Sequence, residues 1–104
     1  MNTVTLYQQG ISKHGNDTVE IFYSELKMAL TKHTVDTGER IFDVADAVGI
    51  SRNTLRNTLY RAKSGERGGR ISKAVAYALA TYLGVPLSMI AQDVTERRKW
   101  TRLK

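Results

Sequence analysis

IFDVADAVGISRNTLRNTLY, residues 41–60, holds two short amphipathic segments joined by three or four residues that include a glycine. In the first segment Ile41, Val44, Ala45 and Val48 share one helical face, and Gly49 ends it. Ala45 falls where the two helices would cross, and a larger side chain there would hold them apart. Gly49, four residues on, permits the left-handed backbone of a tight turn. Val48 and Ile50 straddle that turn and point inward. Ser51 is placed to cap the second helix by accepting from an exposed amide. Leu55, Leu59 and Ala62 then recur as a narrow apolar face. At about 100° per residue from Leu55, Asn53 and Asn57 fall at about 160° and about 200°, with Arg56, Tyr60 and Arg61 around them. This combination specifies a helix-turn-helix whose second helix is presented outward.

Upstream, Asp17-Thr18-Val19-Glu20 has capping-box spacing. Val19, Phe22, Tyr23, Leu26, Ala29 and Leu30 follow at three- and four-residue steps, which predicts a helix to about His33. Thr34 to Gly38 reads as a connection, with Asp36 to Glu39 repeating the capping spacing before the helix at Ile41. Residues 1–16 are weakly patterned; Thr3 to Tyr7 alternates like a short strand, and the segment reads as an N-terminal arm. Downstream, Ser64 to Arg70 is a Gly-rich basic loop that lacks the Gly-Lys-Ser/Thr ending of a nucleotide-binding loop. Ser72 can cap a further helix carrying Val75, Ala78, Leu79, Tyr82 and Leu83, with Gly84 at its end. Pro86 opens a last short helix with Leu87, Ile90 and Ala91. Residues 93–104 hold 5 basic side chains with Trp100 and Leu103 and follow no period. The expectation is an all-α, five-helix domain over residues 17–92, between an arm and a basic tail.

Charge is segregated along the chain. Residues 1–50 carry 4 basic and 7 acidic side chains, a net of −3, while residues 51–104 carry 12 and 3, a net of +9. A basic half of this kind is the electrostatic footprint of a polyanion binder, most simply of nucleic acid; the plainer alternative is a solubilising surface. The 104 residues fit one domain. With no Cys, disulfide frameworks, thiolate catalysis and Cys-based metal sites are excluded. His14 and His33 stand isolated, Asp43 and Asp46 read as surface acids, and no nucleophile has a base partner. No catalytic residue, cofactor or metal ligand is therefore expected. Ala74 to Gln92 is uncharged, but Gly84 and Pro86 break it into two pieces too short to span a membrane. Without a signal-like N-terminus, a cytoplasmic protein is expected.

The 41–60 window resembles the helix-turn-helix of the lambda-repressor/Cro-like DNA-binding family. ISKAVAYALATYLGVPLSMI, residues 71–90, is similar to that family's fourth and fifth helices, so the resemblance covers roughly residues 19–92. Three features depart from the family pattern. Thr58 stands where an apolar residue is usual, which passes the core contact to Leu59. Ile41 stands where many members carry a phosphate-gripping Gln, and the connection before Ile41 is longer than usual.

The resemblance implies a homodimer that binds a double-stranded DNA operator and regulates transcription. Matched to the recognition helix, Arg52, Asn53, Arg56 and Asn57 become the base readers, Arg suiting guanine edges and Asn adenine edges. Ser51, Tyr60, Arg61, Arg67, Arg70 and Lys73 become phosphate contacts, the last three along the Gly-rich loop and the free amides opening the next helix. For each, the plain alternative is a solvated surface side chain, and for Arg52 phosphate contact stays open beside base contact. The expected function is a phage- or plasmid-type repressor that occludes a promoter. The rivals are an antitoxin-like or adaptor protein that uses the fold to bind a protein such as a toxin, and an activator that touches polymerase.

Overall fold

The computed structural model describes residues 4–64 and 70–93, with the side chains of residues 61–64 outside the description. Six helices carry most of the described chain: α1 (Leu6–His14), α2 (Tyr23–Thr37), α3 (Ile41–Val48), α4 (Arg52–Ser64), α5 (Lys73–Leu83) and α6 (Leu87–Ile90). Three short strands, β1 (Thr18–Ile21), β2 (Arg70–Ser72) and β3 (Ala91–Asp93), form an antiparallel sheet in the order β2-β1-β3. The molecule is thus mainly helical, as expected, with a small sheet that was not.

Residues 1–16 are not simply an arm. Thr5 and Gln8 form a capping box: the Thr5 hydroxyl accepts from the Gln8 amide at 3.1 Å, and Gln8 Oε1 accepts from the Thr5 amide at 3.2 Å. That reciprocal cap starts a helix, α1, inside the segment expected to be an arm. Gly10 lets α1 approach α5 closely, since a Cβ there would lie 2.6 Å from the Ala74 carbonyl oxygen.

The helix expected to start at Asp17 instead begins at Tyr23. Thr18 to Ile21 is the central strand, with Val19 opposite Ile71 and Asp93, and Glu20 opposite Arg70 and Gln92. β-Branched Thr18, Val19 and Ile21 suit a strand buried between neighbours. Glu20 is buried there and accepts from Gln92 Nε2 at 2.8 Å. The residue expected to open the tail, Asp93, is the last of β3.

The α2 helix also runs four residues beyond His33, through the expected connection. Thr34 and Thr37 donate their hydroxyls to the Leu30 and His33 carbonyls, and Gly38 caps the end in a left-handed conformation. The α3 cap is correspondingly not at Asp36: Asp43 reaches back to accept from the Arg40 amide at 3.0 Å.

The α5 helix forms the centre. Ala74, Val75, Ala76, Ala78, Leu79 and Ala80 are all buried, so small side chains on several faces admit α1, α3 and the sheet at close range. Leu26 and Leu30 from α2, Val44, Ala45 and Val48 from α3, Leu55 from α4 and Ile90 from α6 complete one core. Among the described residues no helix is long and apolar enough to cross a membrane.

Candidate nucleic-acid interface

The α3-turn-α4 unit is built as its residues dictate. Ala45 and Val48 are fully buried and Leu55 anchors α4 from the other side of the turn. Gly49 adopts φ +91°, and both its amide and that of Ile50 donate to the Ala45 carbonyl at 3.1 Å. A side chain on Gly49 would also meet Thr5, its Cβ falling 2.6 Å from the Thr5 Cβ. The cap of α1 therefore packs on the turn itself. Ser51 Oγ accepts from the Thr54 amide at 3.0 Å and fixes the start of α4.

The inward face of α4 differs from expectation at one position. Thr58 is 3% exposed, while Leu59 is half-buried. Thr58 donates its hydroxyl to the Thr54 carbonyl at 2.8 Å, so it enters the core with its polar atom satisfied within its own helix. The core contact therefore stays at Thr58 rather than passing wholly to Leu59. Ala62 lies among the residues whose side chains are outside the description.

The outward face gathers the expected base readers. Arg52, Asn53, Arg56 and Asn57 are all exposed, and Tyr60 beside them is 74% exposed. Among the described residues none of Asn53, Arg56, Asn57 or Tyr60 has a hydrogen-bond or ion-pair partner. Arg52 is different: its Nη2 donates to Asp46 Oδ2 at 3.0 Å. That carboxylate holds the guanidinium further toward its charged form, first through the hydrogen bond and then through its charge. Ser51 is exposed but already engaged as the cap.

Of the remaining expected phosphate contacts, Arg70 and Lys73 lie off α4. Arg67 and the Arg61 side chain lie outside the described residues. Arg70 is exposed at the start of β2, opposite Glu20. Lys73 opens α5 with its side chain 19% exposed and its ammonium 3.5 Å from Asp93. The expected free amides at that helix start are engaged: the Lys73 amide donates to the Asp17 carbonyl at 2.8 Å, and the Ala74 amide to Ser72 Oγ at 3.2 Å.

One cluster was not visible in the sequence. Glu39, just before α3, lies 2.6 Å from His33 Nε2 on α2 and accepts from the Tyr82 hydroxyl on α5 at 2.7 Å. These bonds, Tyr82 first and then His33, hold the Glu39 carboxyl below its ordinary value. The cluster ties the entrance of the helix-turn-helix to two other helices. Its members lie 6 and 43 residues from Glu39, and no local periodicity carries such a separation. Among the described residues no group of three or more His, Cys, Asp or Glu is placed to hold a metal ion. Comparison with protein families, curated proteins and solved structures finds no match to this chain.

Proposed function

We propose that this chain is a sequence-specific, double-stranded DNA-binding transcriptional regulator of the lambda-repressor/Cro-like kind. In this reading it acts as a homodimer on a near-palindromic operator and represses by occluding a promoter. One observation carries the reading. A helix held by Ala45, Gly49, Ile50 and Leu55 turns two arginines, two asparagines and a tyrosine to solvent, and four of these five have no partner among the described residues. Exposed Asn57, in the interior of α4, costs stability relative to better helix formers, a cost that contact with a ligand would offset. Asn and Arg are the side chains that match adenine and guanine edges in the major groove. The net charge of +9 over residues 51–104 supplies the attraction to phosphate. Selection of duplexes from a randomised pool tests the reading: a recovered near-palindrome supports it, and a pool without enrichment opposes it.

A protein-partner reading has one feature in its favour. On α2, Met28 is 67% exposed and Val35, two turns on, is 76% exposed. Exposed apolar side chains on one helix face suit docking by another protein. Retention of the protein by a co-expressed neighbour, with no DNA enrichment, would favour that alternative.

A further inference from the structure

Asp46 and Arg52 face each other across the turn, Asp46 on the outer side of α3 and Arg52 at the first position of α4. Their side chains are 55% and 60% exposed, and a single Nη2 to Oδ2 bond of 3.0 Å joins them. A guanidinium is a rigid plane with five donors, so one such bond leaves most of its donors unused. Asp43 also faces Arg52 electrostatically, but it sits back on the cap of α3, accepting from the Arg40 amide. Among the described residues Asp46 alone therefore holds the arginine. Arg56, one turn along the same face, has no acidic partner among the described residues.

On the proposed DNA-binding reading, on which this inference rests, an acid at that place has two effects. It repels the phosphate backbone and cancels part of the attraction of Arg52 to it, so it lowers affinity for DNA of any sequence. It also holds one edge of the guanidinium, so that Arg52 does not have to be ordered at the moment of binding. We infer that Asp46 is a positioning residue for base reading: it holds Arg52 by one edge and leaves the other to bond a guanine instead of sweeping the backbone. Arg52 becomes a base reader, and the unheld Arg56 is left able to reach either base or phosphate. Specificity is a difference of affinities, and Asp46 acts on both of its parts.

The test uses the full chain and an operator selected by the unsubstituted protein from a duplex pool randomised over about 20 base pairs, room for two half-sites about 10 apart. Asp46→Asn, Asp46→Glu, Arg52→Ala and the double variant Asp46→Asn/Arg52→Ala are titrated with operator and with scrambled duplex. Asp46→Asn should lower the operator-to-scrambled affinity ratio about tenfold, with binding to scrambled duplex unchanged or tighter. The discrimination lost should be at the same base pair that Arg52→Ala no longer reads. The double variant should lose little beyond Arg52→Ala alone, since the two act as one unit. Asp46→Glu, which keeps the carboxylate, should recover most of the ratio. An Asp46→Asn protein that keeps the full ratio, or loses affinity for both duplexes alike, overturns the inference while the DNA-binding reading stands. Failure of the unsubstituted protein to enrich any duplex removes the reading, and the inference with it.

Discussion

Asn57 and Arg70 have different jobs in the proposed complex, and alanine at each separates reading from gripping. Asn57 is exposed on the side of α4 away from Leu55 and has no partner among the described residues, so its amide is available to a base edge. Asn57→Ala should weaken operator binding by about 1–3 kcal/mol and scrambled DNA little. Arg70 is exposed on β2, off the helix, and should see only phosphate. Arg70→Ala should weaken both duplexes about equally and reduce the salt slope by about one unit. Paired titrations measure both effects, and melts check the fold, which matters for Arg70 because it stands opposite buried Glu20. Equal loss on both duplexes for Asn57→Ala would withdraw its role as a base reader. At this scale much was legible, because exposure on a helix follows from 100° steps and from Leu55. Burial of Thr58 was not: it depends on a hydroxyl bonded to the carbonyl four residues back, which no hydropathy pattern registers.

Elements meet through close contacts and through one polar cluster, and each gives a stability prediction. Ala at Gly10 would drive a Cβ to 2.9 Å from the Ala74 Cα and closer still to its carbonyl oxygen. Both neighbours are backbone, so the helices must separate; Gly10→Ala should cost about 1–3 kcal/mol. A calorimetric melt should then fall by several degrees, about 4–8 °C per kcal/mol in a domain of this size. An unchanged melt would show that α1 does not rest on α5 in this way. The Glu39 cluster predicts a pH dependence. Tyr82 and His33 hold the folded carboxyl below its ordinary value of 4.5, so its contribution is present above that pH and is lost as pH falls through the lowered folded value. The same bond raises Tyr82 above 10.0, so its share is present below that pH and is lost as pH climbs through the raised value. Melts across pH should show Glu39→Gln less stable than the unsubstituted chain near neutrality, with the gap closing toward acid. A gap constant down to strongly acid pH would contradict the assignment. The helices with local start and stop signals were legible here: Gly49, Ser51, Ser72, Gly84 and Pro86 all mark real ends or beginnings. The sheet was not. Its strands are three or four residues long, and Val19 finds Ile71 and Asp93 some fifty to seventy residues away. That pairing turned an apparent helix start at Asp17 into a strand, and Phe22 into the residue whose amide donates to the Ile90 carbonyl at 2.8 Å.

Across the whole molecule, charge and symmetry are what the proposed DNA binding turns on. The acidic residues 1–50 build α1 to α3 and the sheet centre, while the basic half begins at Ser51, where the outward helix starts. A single outward helix reads few base pairs, so selectivity calls for two copies with half-site centres about 10 base pairs apart. Sedimentation of the protein with its selected duplex should find two chains per site; one chain on an asymmetric half-site would oppose the symmetric arrangement. The most direct test of the central claim, that this chain binds duplex DNA through its basic half, is affinity for the selected duplex as salt is raised from about 50 to about 200 mM. Each phosphate neutralised contributes a slope of about −0.9 in log K against log salt, so a dimer making several contacts per chain should lose on the order of a thousandfold. Affinity that stays flat over that range would contradict the account.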